Sequence, residues 1–297
     1  MPLGVGIDSG GSATRWVLAN GEATLAAGEL PAVNGHLFTA DSRTAFDSFA
    51  AALARALPQP PGFVVAGITG LTGDAPEAAL AGDILSAALH VPRTRVIVQD
   101  DLWIGYHAAF APGEGIVVYA GTGSVGMHIR ADGTIERAGG RGILIDDAGS
   151  AFWIGRQALD CVFRRIDAAA PRGPLGDALF AAMAAEDWNG VRAHVYGGGR
   201  TAVAMLALAV AEAAEADPDA LAILADAGTE LARLACVLAA RVGRLPVVLL
   251  GRAATLHPVI FQRLHAAAPD LDIRLEQADA ALAAARLACR LAAEGAG

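Results

Sequence analysis

The chain contains no lysine: all 22 of its basic residues are arginines. Together with abundant alanine, this reads as base-composition bias and carries no functional weight. Charge is sparse, at 18% of residues, and 31 acidic against 22 basic residues leave a net charge of −9. No Lys/Arg cluster offsets that acidity, which excludes nucleic acid as an expected partner. Cysteine is scarce too. Cys161, Cys236 and Cys289 stand far apart in apolar, helix-like surroundings with no CxxC or Cys/His spacing, so they read as free thiols, not as disulfides or metal ligands. No uncharged apolar run reaches membrane-spanning length; the strongest, residues 201–214, is short and contains Glu212. No basic-then-apolar leader precedes the opening strand. The expectation is a cytoplasmic protein with no membrane partner.

What is present is a generous core, 54% hydrophobic over 297 residues, enough for two domains. Two glycine-rich strand–turn–strand units stand out: LGVGIDSGGSATRWVLAN (residues 3–20) and GIVVYAGTGSVGMHIRADGTIERAGG (115–140). Turns stripped of side chains let backbone N–H groups approach an anion closely. Neither is a GxxxxGK[ST] loop or a dinucleotide fingerprint, and either alone reads equally well as an ordinary hairpin. The pair is more telling, because acidic residues end the strands nearby: Asp8 before the first turn and Asp100 after RVIVQ. Two such turns would grip a polyphosphate, which points to an ATP-dependent phosphotransferase.

Periodicity predicts strands at 3–7, 14–19, 63–68, 95–99, 115–120, 125–130, 134–138, 245–250 and 272–276. It predicts helices at 40–57, 76–89, 102–110, 150–165, 175–185, 201–216, 218–241, 256–268 and 279–293. The turn Pro112-Gly113-Glu114 divides two strand-bearing halves. The expected domains are 1–111 and 112–279, both α/β, with the last helix (about 280–297) packing back on the first.

Two α/β halves that each open with an anion-binding hairpin describe the sugar kinase, Hsp70 and actin architecture: two ribonuclease H-like domains with an interdomain ATP and substrate cleft. Three segments narrow this further. DSGGSATR (8–15), GTGS (121–124) and AGGRGILIDDAGSAFWIGRQAL (138–159) together resemble the N-acetylglucosamine kinase and BadF/BadG/BcrA/BcrD ATPase family, whose third motif runs approximately GGWGxxLGDEGSxxWIGxxA. The third motif is the specific one, and the resemblance runs the length of the chain.

The resemblance implies ATP and Mg²⁺ as cofactors, a small amino sugar as substrate, and a homodimer. Asp8 would hold the metal, although an Asp at a turn also serves its own backbone. Gly10, Gly11, Ser12 and Thr14 would form the first phosphate loop, where Ala13 replaces a basic residue common in the family and leaves Arg15 or backbone dipoles to supply that charge. Gly121, Thr122, Gly123 and Ser124 would form the second loop, and Gly251 would open the adenosine loop, with Arg252 where relatives carry a second glycine. Asp100, in Val98-Gln99-Asp100-Asp101-Leu102, matches the family's V-N-D-A-L and would be the catalytic base, with Asp101 capping the next helix or taking the base role instead. Asn34, Gly140 and Asp147, with Asp100, would bind sugar, while Gly67, Thr69 and Gly70 would line the cleft, Ser150 would cap a helix and Trp153 would lie in the core. Arg141, Asp146 and Ala148 depart from the family pattern; Arg141 would pair with Asp146 or with an anionic substrate group. The leading expectation is a kinase for N-acetyl-D-glucosamine, acting on the 6-hydroxyl. Glucosamine is the alternative substrate, and an ATP-driven activator of a 2-hydroxyacyl-CoA dehydratase or a sugar-sensing regulator is the alternative class.

Overall fold

The computed structural model describes residues 2–10, 13–71, 73–277 and 279–294. The chain divides into two compact units, Met1–Ala111 with Ala278–Gly297, and Pro112–Gln277. No helix among the described residues is long and apolar enough to cross a membrane.

In the first unit, β1 (Leu3–Ser9), β2 (Ala13–Asn20) and β3 (Ala23–Pro31) form an antiparallel meander. After α1 (Ala40–Ala56), β4 (Phe63–Ile68) joins β1 in parallel; after α2 (Pro76–Leu89), β5 (Val96–Gln99) joins β4 in parallel, and α3 (Asp101–Ala109) follows. The sheet order β3-β2-β1-β4-β5 is that of a ribonuclease H-like domain. Alternation along β1 sorts its two faces. Val5 and Ile7 point into a cluster with Phe46, Leu53, Ala81 and Leu85 of α1 and α2. β3 was not foreseen from the sequence. It is an edge strand, largely exposed, whose single β-branched residue is Thr24, so its strand signal is weak.

The second unit repeats this order. β6 (Ile116–Ala120), β7 (Ser124–Ile129) and β8 (Ile135–Gly139) form the meander, followed by α4 (Ala151–Asp167), α5 (Gly173–Ala182), α6 (Trp188–Ala213) and α7 (Pro218–Val242). β9 (Val247–Leu250) then pairs parallel with β6, and after α8 (Pro258–Ala267), β10 (Ile273–Leu275) pairs parallel with β9. The resulting order is β10-β9-β6-β7-β8. α6 starts ahead of the helix expected at 201–216, because its first half runs up to Gly199, where φ 60° and ψ −145° break it. A buried carboxylate ties three of these helices. Asp217 caps α7 through Asp219 N–H, accepts from Leu175 N–H at 3.0 Å, and takes a two-pronged contact from Arg165 of α4 at 2.7 and 2.9 Å. That guanidinium holds the carboxyl well below the usual range.

The last helix, α9 (Ala280–Glu294), belongs to the first unit and covers the other face of β1. It lies so close that a Cβ on Gly4 would sit 2.6 Å from Ala285 O, and one on Gly6 would sit 2.1 Å from Ala281 O. Ala281, Ala285 and Cys289 of α9 pack there with Val17 and Ala19 of β2. The glycines of LGVGID are therefore a docking face for a helix. Because a Cβ would meet backbone and not a movable side-chain tip, Gly6→Ala is expected to lower stability by ~1–3 kcal/mol in urea unfolding, whereas Val5→Ala, on the opposite face, creates a cavity without displacing α9.

Candidate active site

Residues 4, 6 and 8 share one face of β1, so the helix docked on Gly4 and Gly6 begins beside Asp8. Asp279 stands at its start and accepts from Leu282 N–H at 3.0 Å. Gly67, paired with Asp8 across β4, admits α3 in the same way: a Cβ there would lie 2.4 Å from Ile104 and 3.2 Å from Asp101 Cα. Half-buried and facing these carboxylates, Asp8 is raised from 3.8 to about 6. Burial is the main cause, followed by the charge of Asp101, with a further push from Asp279. Arg15, directly across on β2, opposes the rise. Among the described residues no three His, Cys, Asp or Glu side chains converge to hold a metal. A surplus of negative charge around one partly buried carboxylate fits a magnesium ion held by one or two carboxylates and otherwise by water and phosphate oxygens.

The first turn closes by Gly10 N–H donating to Ala13 O at 3.1 Å; Gly11 and Ser12 lie outside the described residues. Thr14 is fully buried. Ser9 donates its hydroxyl proton to Val33 O at 2.6 Å, so Thr14, 2.7 Å away, is the donor to Ser9. Its hydroxyl thus serves the base of the turn. Thr69 N–H donates to Ser9 O and Gly35 N–H to Thr69 O, which straps the Asn34 loop beside β1. Asn34 accepts from His36 N–H at 3.1 Å, a turn-forming contact that leaves its amide N–H groups for a ligand.

Asp100 is buried and is itself the N-cap of α3, accepting from Trp103 N–H at 2.6 Å. The sequence offered Asp101 as a candidate cap; the structure makes Asp101 the first helical residue, with Leu102 N–H on its carboxylate at 3.1 Å. Asp100 thus combines a structural contact with a position at the carboxyl end of β5, and Asp101 is the neighbour whose charge reaches Asp8.

In the second unit, Gly121 N–H donates to Gly123 O at 2.9 Å, and Ala151 and Phe152, at the start of α4, donate to the carbonyls of Gly121 and Thr122. Ser124 is buried and donates its hydroxyl to Ala148 O at 2.7 Å; Thr122 is exposed at the tip. Ser150 caps α4, accepting from Trp153 N–H at 3.2 Å. The following loop holds Gly139, Gly140, Gly142 and Gly149 at positive φ, with Asp147 among them at φ 67°. Such a backbone is tolerated by Asp but strained for most side chains. Asp147 is almost fully buried and meets the Arg200 guanidinium at 3.2 Å, with the backbone of Ser124 and Gly142 also favouring its ionised form. Burial raises its carboxyl, and Arg200 is the first force opposing that rise. Asp146 lies 3.9 Å from Arg141 and 3.7 Å from Arg233. Gly251 has φ 98°, and a Cβ on it would sit 2.3 Å from Ala120 O, so close packing on β6 also requires a glycine there. Arg200 was not singled out from the sequence; the Gly197-Gly198-Gly199 run ahead of it was the available signal.

The BadF/BadG/BcrA/BcrD ATPase family matches residues 5–269. Among solved structures, a candidate N-acetylglucosamine kinase from Chromobacterium violaceum is similar at 27% identity and TM-score 0.74, covering 97% of this chain and 99% of that one. One from Porphyromonas gingivalis is similar at 19% identity and TM-score 0.75, covering 98% and 99%. A ROK family glucokinase from Streptomyces griseus, in complex with glucose and AMPPNP, shares the fold at 16% identity and TM-score 0.61, covering 97% and 99%.

The raised Asp8 predicts a pH-dependent cost. A carboxyl that moves from 3.8 to about 6 on folding destabilises the fold once it must ionise, so the cost enters as pH rises from about 4 through 6. Without divalent metal, Asp8→Asn should therefore be more stable than the natural chain at pH 8, by ~1–3 kcal/mol, with the difference gone below pH 4. Thermal unfolding across that range checks it; a difference independent of pH would contradict it.

Proposed function

Because the chain belongs to the BadF/BadG/BcrA/BcrD ATPase family, we propose that it is an ATP-dependent sugar kinase that phosphorylates an amino sugar, N-acetyl-D-glucosamine, on the 6-hydroxyl. The observation that carries this reading is the pair of carboxylates at the ends of β1 and β5, Asp8 and Asp100, set beside a glycine turn in the first unit. Phosphoryl transfer asks a protein mainly for positioning and charge stabilisation. Backbone N–H groups of the two turns would supply the anion contacts, since the buried hydroxyls of Thr14 and Ser124 donate within the protein. Asp8 would hold magnesium, which when bound neutralises phosphate charge. Asp100 accepts the proton of the sugar hydroxyl as its oxygen bonds to the γ-phosphorus; the bond from that phosphorus to the bridging oxygen breaks, and ADP leaves with its electrons. Asn34, Gly140 and Asp147 hold the sugar, and Gly251 contacts the adenosine.

A coupled ATP-consumption assay over glucose, glucosamine, N-acetylglucosamine and related hexoses, with the product's phosphate located by NMR, tests this reading; absence of sugar-dependent turnover with every member would overturn it. The cap role of Asp100 makes the choice of base separable from folding. Asn is as good an N-cap as Asp, so Asp100→Asn should keep stability while kcat falls by about 10²–10⁴. Asp100→Ala should in addition lose ~1 kcal/mol of stability. Near-normal turnover in Asp100→Asn would transfer the base role to Asp101.

A further inference from the structure

Arg200 stands where an uninterrupted helix would not put it. The first half of α6 ends at Gly199, whose φ of 60° and ψ of −145° are open in practice only to glycine. A Cβ at Gly197 or Gly199 would meet nothing within 4 Å, so packing does not explain these glycines; at Gly199 the backbone conformation does. The break delivers the Arg200 guanidinium onto two parts of the second unit at once. One is the Asp147 carboxylate at 3.2 Å. The other is the second glycine turn, where a Cβ on Gly123 would lie 2.6 Å from Arg200 Nη2 and 2.8 Å from Asp147 Oδ2. The absence of a side chain at Gly123 is thus what lets guanidinium and carboxylate meet behind the turn.

We propose that Arg200 is a positioning residue of the sugar-binding site, which acts through Asp147 by holding that carboxylate ionised and aimed. The proposal rests on the reading of Asp147 as a sugar ligand. A carboxylate offers about four lone-pair positions. Arg200 takes one of them at 3.2 Å, and a substrate hydroxyl can take another. Among the described residues the Arg200 guanidinium is the ion-pair partner that supplies compensating charge at this nearly buried group held at left-handed φ. Arg200 itself is 46% exposed, anchored by this contact and by the glycine break. Asp146, next in the chain, adds a like charge that raises the Asp147 carboxyl; Arg141 and Arg233 face Asp146 at 3.9 and 3.7 Å.

The test reads Asp147 directly and then through catalysis. Side-chain ¹³C NMR of Asp-labelled protein, with the Asp147 signal assigned by its loss in Asp147→Asn, follows its titration in the natural chain, Arg200→Gln, Arg200→Lys and Gly199→Ala. Loss of the opposite charge should move the midpoint up by about one pH unit or more in Arg200→Gln, less in Arg200→Lys, and upward in Gly199→Ala although no charged group has changed. In steady-state kinetics, kcat/KM for the amino sugar in Arg200→Gln should fall at least tenfold at pH 6 and recover as pH rises, while KM for ATP stays within twofold. An unmoved Asp147 midpoint in Arg200→Gln would overturn the proposal, as would a loss confined to the KM for ATP, which would make Arg200 a phosphate contact. If the natural chain phosphorylates no amino sugar, the kinase reading fails by itself, and the titration still decides whether Arg200 sets the charge of Asp147.

Discussion

Helix α9 lies against β1 so closely that its backbone occupies the space a side chain at residue 4 or 6 would need. That approach sets the electrostatics of the first unit. It brings the start of α9, with Asp279, beside the end of β1, while Gly67 lets α3 bring Asp101 from the neighbouring strand. Asp8 is then crowded by two carboxylates and partly cut off from water, which is why it resists ionisation. An arrangement that costs stability in this way is usual where a cation or a reacting group supplies the missing charge. The alternating glycines and the acidic residue that follows them are thus one device, with the packing face placing the charge.

The second unit reaches a similar end by other means. Its turn is fastened from below, by Ser124 to Ala148 and by the first N–H groups of α4 to Gly121 and Thr122. In both units the hydroxyl at the base of the turn is spent on the protein, Thr14 on Ser9 and Ser124 on Ala148. Arginine lies near each turn: Arg15 across from Asp8, Arg200 behind Gly123. A chain without lysine has to handle anions in this way.

The strands, the fold class and the family were legible because β1, β4, β6 and β9 are apolar runs flanked by glycine, and because the segment from 138 to 159 is distinctive. The expected ribonuclease H-like order appears in both sheets. β3 escaped because an exposed, alanine-rich edge with Thr24 as its one β-branched residue has a weak strand signature. The division of labour between Asp100 and Asp101 escaped because capping depends on the backbone angle of one residue, and adjacent carboxylates look alike in sequence. That the hydroxyls of Thr14 and Ser124 donate within the protein was not legible, because a hydroxyl in a turn motif is silent about which way it points. Arg200 escaped because its partner is 53 positions away and only a helix break joins them.

The glycine face of β1 also has a consequence in time. Between Ala111 and Ala280 the ribosome adds the whole second unit, which at about 5–20 residues per second takes on the order of ten seconds or more. Throughout that interval the meander of the first unit exists without α9, so Gly4 and Gly6 border an open trough, and Phe63 and Val65 lack the Ala284, Leu287 and Ala288 side chains that later cover them. The second unit can finish folding while the first, though synthesised earlier, still waits for its lid. The first unit, begun first, therefore receives its last packing element after the second unit has been made.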